Sequence, residues 1–168
     1  VAAAASGETR MLWTQPSGAA SIWSVAASGH ITYGPAVGPF SGWTPRSITI
    51  GANGNTYLWW TNTNGSMSFW IFNSSGVAIW QGSAVGPYAG WTPVEGSAKA
   101  DGTERVLWTE TSGQASVWTI AVNDTITFSP TFGPYTGWSA EHLVSGPSGS
   151  TRLLWNTAQG VASVWTVA

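Results

Sequence analysis

Three loops of the sequence repeat one aromatic phrase, Gly-Pro-aromatic-x-Gly-Trp, at residues 38–43, 86–91 and 133–138. Pro restricts the backbone angle φ and Gly permits positive φ, so the phrase holds its two rings in a fixed arrangement. A rigid aromatic ring can cover the apolar face of a sugar, while nearby polar groups pair with the hydroxyls. These Gly-Pro loops therefore predict carbohydrate-binding residues at Trp43, Trp91, Trp138, Phe40, Tyr88 and Tyr135. Asn, Ser and Thr side chains near the neighbouring turns would supply the hydrogen bonds.

The same residues have a structural alternative, in which the tryptophan closes the hydrophobic core and Gly-Pro only turns the chain. Eight further tryptophans raise the same question. They form two series, each with one member per repeat: Trp13, Trp60, Trp108 and Trp155, and ten residues after each of these Trp23, Trp70, Trp118 and Trp165. Core packing between repeats is the expectation for at least one series, and a stacking platform is the alternative.

Charged side chains show no catalytic or metal-binding pattern. Three arginines precede a series tryptophan by three residues, namely Arg10, Arg105 and Arg152, and either stack on a neighbouring ring or donate to a ligand. None of the seven carboxylates recurs in every repeat, so no pair suited to glycoside hydrolysis is predicted. His30 and His142 are isolated from each other in the sequence. We therefore predict a non-enzymatic protein with no cofactor and no metal site.

The composition excludes several classes of partner. Charged residues make up 7% of the 168 residues and the net charge is −2, so a nucleic acid partner is not expected. No apolar run reaches the ~20 residues that a membrane-spanning helix requires. The chain has 13 tryptophans and no cysteine. A surface rich in tryptophan and poor in charge favours a secreted, extracellular protein.

The elements that would position the loops come from a tandem repeat. The first tryptophan series recurs at intervals of 47 or 48 residues, which is typical of repeat architectures. Four candidate strands alternate with Gly-bearing turns in each repeat, and we call them A, B, C and D. Strand A contains the first-series tryptophan, strand B the second-series tryptophan, strand C precedes the Gly-Pro loop, and strand D follows it at residues 46–50, 94–98 and 141–145. No segment shows helical periodicity, so the sequence predicts an all-β protein.

The repeats predict a single domain, residues 1–168, with units at 1–26, 27–73, 74–121 and 122–168, the first incomplete. Four-stranded units of this length are typical of β-propeller blades. A three-fold β-trefoil or β-prism is the alternative, because three Gly-Pro loops are present. Several chains could also associate to complete a ring, which predicts a homo-oligomer.

In period, turns and aromatic placement, the whole chain resembles tandem-repeat β-propeller lectins. The resemblance implies a multivalent lectin whose partners are glycans. The alternative is a structural or assembly module, or an engineered propeller fragment, that binds no small ligand.

Overall fold

All the regular structure in the described part of the chain is β-strand. The computed structural model describes residues 1–4, 6–146 and 148–167. Its strands form four antiparallel sheets in tandem, which confirms the predicted all-β fold of repeated, propeller-type units and leaves the three-fold alternatives without support. No helix that could cross a bilayer occurs in these residues.

The four sheets are numbered along the chain. Sheet 1 contains β1 (Ala2–Ala3), β2 (Thr9–Thr14), β3 (Ala20–Val25), β4 (Ile31–Thr32) and β5 (Ala36–Val37), and sheet 2 contains β6 (Trp43–Ile50), β7 (Thr56–Asn62), β8 (Met67–Phe72) and β9 (Ala78–Gln81). Sheet 3 contains β10 (Trp91–Ala98), β11 (Glu104–Glu110), β12 (Ala115–Ile120) and β13 (Ile126–Thr127), and sheet 4 contains β14 (Trp138–Ser145), β15 (Thr151–Thr157) and β16 (Ala162–Val167).

Each outer C strand pairs with the B strand that precedes it, as β9 does with β8. The order within a sheet is therefore D-A-B-C, offset from the units read from the sequence. The chain forms two compact units, Val1–Val85 with sheets 1 and 2, and Gly86–Ala168 with sheets 3 and 4. The single domain at 1–168 stays a prediction, and its residues Ala5, Pro147 and Ala168 lie outside the described residues.

The hairpins close through one type of turn. In the first A–B hairpin, the Gly18 amide donates to the carbonyl of Gln15 at 2.9 Å and Gly18 has a φ of 90°. A residue with positive φ after a tight turn favours glycine, because a Cβ is crowded in that conformation. In the B–C turns the same place belongs to Gly29 in sheet 1 and to Asp124 in sheet 3, which has a φ of 62°, a conformation that Asp tolerates better than most residues.

The D strands begin three residues earlier than predicted, at Trp43, Trp91 and Trp138. Pro45 and Pro93 lie inside two of these strands, although proline cannot donate a ladder hydrogen bond. The strands continue through this position because the register shifts immediately after it, for example between Pro45 and Ser47. A bulge of this kind accommodates the missing donor. The three tryptophans predicted in connections are therefore the first residues of strands.

The hydrophobic core lies between neighbouring sheets inside each unit. In the first unit Ile22 of sheet 1 packs with Leu58 and Trp60 of sheet 2. In the second unit Leu107 of sheet 3 packs with Trp155 of sheet 4. Burial between successive sheets is the general way in which repeat units share a core.

Candidate functional site

Two cavities are built from the same five repeat positions. The sheet 2 pocket has a volume of about 190 Å³ and is lined by Phe40, Trp43, Trp60, Ser68 and Trp70, together with Gly82 and Ala84. The sheet 4 pocket has a volume of about 250 Å³ and is lined by Tyr135, Trp138, Trp155, Ser163 and Trp165. Equivalent residues therefore form the same kind of cavity in two of the four sheets.

The Gly-Pro loop and three strands position the lining residues in sheet 2. The Gly-Pro loop presents Phe40 and leads into β6, which begins with Trp43. Strand β7 supplies Trp60, and β8 supplies Ser68 and Trp70, which are two residues apart and therefore share one face of the strand. The Gly-Pro peptide bond is cis in all three loops.

The rings of the sheet 2 pocket are inclined to one another by 49° to 73°. The Phe40 ring centroid lies 5.0 Å from that of Trp70 and 5.7 Å from that of Trp60. The Trp60 and Trp70 rings are 5.5 Å apart and inclined at 49°. Because the two indoles are inclined, the ring of Trp70 forms one wall of an open cavity instead of stacking flat on Trp60.

Sheet 4 repeats this arrangement. Tyr135 lies 5.3 Å from Trp155 and 5.2 Å from Trp165, and the two indoles are 5.4 Å apart at 40°. Tyr135 is 40% exposed and Phe40 is 39% exposed. Each loop ring therefore covers a buried strand A tryptophan while keeping part of its own surface open.

The corresponding place in sheet 3 is filled by its own rings. Trp108 and Trp118 stack at 4.6 Å and 26°, and Phe128, which directly follows the outer strand, packs edge-on against Trp118 at 4.7 Å. Tyr88 and Trp91, both predicted to bind sugar, lie 4.9 and 6.3 Å from Trp118. Trp118 is only 6% exposed, so these rings pack on one another.

The two tryptophan series have different environments. Trp60, Trp108 and Trp155 are at most 1% exposed, and their indole Nε1 atoms are buried without a hydrogen-bond partner among the described residues. Trp70 and Trp165 of the second series are half-buried and line the pockets. The first series is core in sheets 2 to 4, whereas the second series adds pocket residues that the sequence prediction did not include.

Each pocket contains one serine hydroxyl, that of Ser68 in sheet 2 and that of Ser163 in sheet 4. Ser68 donates to the carbonyl of Gly82 at 2.8 Å, and Ser163 accepts a hydrogen bond from the Trp165 indole at 3.0 Å. A sequence signal for these residues exists, because a serine precedes every second-series tryptophan by two positions. Asparagines near the turns, which the sequence predicts as hydrogen-bonding partners of a sugar, form hydrogen bonds within the turns. For example, the Asn62 side chain accepts a hydrogen bond from the backbone amide of Asn64.

Arg10 has a structural role. Its guanidinium is 2% exposed, contacts Glu8 at 2.9 and 3.1 Å, and donates to the Thr56 hydroxyl at 2.8 Å. Arg105 is also buried, whereas Arg152 is exposed. Arg10 therefore links sheets 1 and 2 of the first unit through polar contacts.

The residues with shifted pKa values lie outside both pockets. Hydrogen bonding from Arg10 lowers the pKa of Glu8, and hydrogen bonding from Thr103 lowers the pKa of Asp101 to about 2. Burial raises the pKa of Glu104 well above its ordinary value. No charged side chain lines either pocket, and the described residues contain no cluster of three metal-ligating side chains. The pockets therefore suit a neutral ligand.

A broader depression adjoins the other side of the sheet 2 loop. It has a volume of about 470 Å³ and shares Phe40 and Trp43 with the pocket. Its remaining lining is largely polar or small: Pro16, Ser17, Gly18, Pro39, Ser41, Gly42, Thr44 and Thr63. The loop rings thus separate an apolar pocket from a hydroxyl-rich surface.

Comparisons with known proteins give a likeness in fold but not in sequence. No protein-family model and no curated protein sequence matches the chain. The SapL1 lectin in complex with α-methyl fucoside matches 99% of this chain with a TM-score of 0.57 and 14% identity. The lectin of Aleuria aurantia, in complex with α-methyl-L-fucoside, matches 96% with a TM-score of 0.52 and 13% identity. A candidate 6-phosphogluconolactonase of Bacteroides fragilis matches 99% with a TM-score of 0.53 and 15% identity.

These likenesses show the fold alone, because the identities are low. Several similar structures are lectins, and one is a candidate lactonase. The chain spans between 55% and 63% of the length of the three proteins.

Proposed function

We propose that the chain is a non-enzymatic carbohydrate-binding protein whose sugar sites are the aromatic pockets of sheets 2 and 4. The observation that carries this proposal is the recurrence of one pocket on five equivalent positions. In sheet 2, Phe40 contributes from the loop, Trp43 from the start of β6 and Trp70 from β8. A site repeated along a chain is suited to multivalent binding, since several weak contacts together give a high avidity.

The chemistry of the pockets supports a neutral sugar. Indole and phenol rings attract the C–H face of a pyranose. The Ser68 hydroxyl, whose proton is donated to Gly82, can accept a hydrogen bond from a sugar hydroxyl. Both cavities are smaller than the ~300–1,000 Å³ of a typical drug-sized site, which limits each to about one sugar ring. The absence of lining charges among the described residues favours binding over hydrolysis or phosphate recognition.

The polar depression next to the sheet 2 pocket supports a longer ligand. A terminal sugar in the pocket would lie against Trp43, and the next sugar would extend past the loop toward Ser41 and Thr63. Because the SapL1 and Aleuria aurantia lectin structures contain fucosides, fucosylated glycans are the first ligands to test. Glycans on a surface outside the cell are the partners that this proposal implies, consistent with the predicted secretion, and the predicted homo-oligomer stays a prediction.

Replacing Trp138 by Ala is expected to weaken binding to a multivalent glycan surface by about threefold to tenfold. Loss of one ring removes a stacking contact worth about 0.5–1.5 kcal/mol, and about 1.4 kcal/mol corresponds to tenfold in Kd. The measurement is a glycan array followed by titration of the best ligand, with circular dichroism to verify that the variant is folded.

Trp13→Ala is the matched control, because it removes a tryptophan that is 49% exposed but lines neither pocket. Its binding is expected to equal that of the wild type. Equal losses from both variants would contradict pocket-specific binding. A wild-type chain that binds no glycan on the array would instead favour the structural or assembly module.

A further inference from the structure

The outer strand of sheet 2 differs from those of sheets 1 and 3 at one position. In sheets 1 and 3 the ring of the residue directly after the outer strand packs edge-on against the strand B tryptophan: Tyr33 on Trp23 at 4.6 Å and Phe128 on Trp118 at 4.7 Å. In sheet 2 the residue directly opposite Trp70 is Gln81. Sheet 2 thus lacks the aromatic cover at this point and has a carboxamide instead.

An extra residue in the chain explains the exchange. The turn glycine Gly76 precedes Gly86 of the next Gly-Pro loop by ten positions, whereas Gly29 precedes Gly38 by nine. The pairing of β8 with β9 shifts register between Ile71 and Phe72, as expected for a bulge. A shift of one residue moves a side chain to the opposite face of the sheet.

Trp80 is the ring that has changed face. It pairs with Ile71 and packs against Phe69 with the ring centroids 4.8 Å apart. Gly82 makes room for it, since a Cβ at that position would meet the Trp80 ring and lie 2.8 Å from the carbonyl oxygen of Phe69. The ring that would cover Trp70 is therefore held on the other side, and the pocket beside Trp70 is open.

We infer that Gln81 is a specificity-determining residue of the sheet 2 site and recognises two neighbouring hydroxyls of a neutral pyranose stacked on Trp70. This inference rests on the proposed function. Directly opposed residues of an antiparallel pair share a face, so the Gln81 side chain lies on the same face as Trp70. It is exposed, and within the described residues its carboxamide forms no hydrogen bond.

The chemistry of a carboxamide matches a vicinal diol. It presents a carbonyl acceptor and an N–H donor side by side, and adjacent sugar hydroxyls can satisfy both. No charge lines this pocket, so a carboxylated or phosphorylated sugar gains no ion pair there. The indole of Trp70 stacks on the face of the sugar ring, and the Gln81 carboxamide forms hydrogen bonds with the hydroxyls at the edge of that ring.

The test uses a single-site background, in which Trp138→Ala has disabled the sheet 4 pocket. Gln81→Leu removes the hydrogen-bonding groups and keeps a similar size, whereas Gln81→Tyr restores the ring that sheet 1 has at this position. The probes are neutral methyl pyranosides with adjacent hydroxyls and their singly deoxygenated analogues, titrated by tryptophan fluorescence. We expect Gln81→Leu to raise Kd at least about tenfold and Gln81→Tyr to abolish binding.

A gain-of-function variant gives an independent measurement. Phe128→Gln in the wild-type chain removes the cover from Trp118 and is expected to raise the number of bound sugars per chain. Unchanged affinities in both Gln81 variants, measured on a background that binds sugar, would overturn the role of Gln81 and leave the proposed function intact. A wild-type chain that binds none of the pyranosides or arrayed glycans would overturn both.

Discussion

Replacing Trp108 by Ala is expected to lower the free energy of unfolding by about 3–5 kcal/mol. Trp108 is fully buried, stacks on Trp118 at 4.6 Å and is covered by Tyr88 at 5.5 Å. Replacing it by alanine loses the favourable free energy of burying a large ring. It also leaves a cavity that the strands on both sides cannot fill. Urea unfolding followed by circular dichroism measures the change.

The matched control is the same substitution at the equivalent position of sheet 1. Trp13 occupies that position in strand β2 but is 49% exposed, so Trp13→Ala is expected to cost about 1 kcal/mol or less. Trp108→Phe should fall between the two alanine variants, because it keeps an aromatic ring and removes the unpartnered indole N–H. Similar costs for Trp108→Ala and Trp13→Ala would contradict the assignment of Trp108 to the core.

Replacing Glu104 by Thr is expected to stabilise the protein, and to do so more strongly as the pH rises. Glu104 is 1% exposed, its Oε2 has no hydrogen-bond partner among the described residues, and burial raises the pKa of its carboxyl well above 4.5. Between pH 4.5 and the raised folded-state pKa, the folded chain therefore holds a proton that the unfolded chain releases. The contribution of the protonated carboxyl to the free energy of unfolding is complete below pH 4.5. It is lost as the pH rises toward the folded-state pKa.

Threonine is the natural choice, because it occupies the equivalent position in the other three sheets, at Thr9, Thr56 and Thr151. We expect the stability difference between Glu104→Thr and wild type to grow by at least about 1 kcal/mol between about pH 5 and about pH 9, the scale of one buried unpaired polar group. Urea unfolding at both pH values measures it. Glu104→Gln keeps the size of the side chain and removes its titratable group. It should therefore remove the pH dependence to the same extent as Glu104→Thr. A difference that is equal at both pH values would show that Glu104 does not titrate across this range.

The strands and turns were predictable because their signals are local. The period of 47 or 48 residues, the alternation around each tryptophan and the glycines at hairpin turns are all visible in the sequence. The start of strand D was not, since Pro45 reads as a strand breaker until the bulge that follows it is known. The pairing of Trp70 was not predictable either. Trp80 and Tyr33 lie at the same distance after their turns, so the sequence suggests that they are equivalent. The extra residue that places Gln81 opposite Trp70 is evident only from the strand pairing.

The sequence by itself determined the repeat, the all-β class and the residues that line the pockets from the Gly-Pro loops of sheets 2 and 4. Only the tertiary structure decided which tryptophans are buried and which are open. Trp13 and Trp108 hold the same position in the repeat, yet one is 49% exposed and the other is fully buried. The physical reason is that burial depends on rings brought from other strands and loops, such as Tyr88 over Trp108, and on a one-residue shift that reverses the face of Trp80.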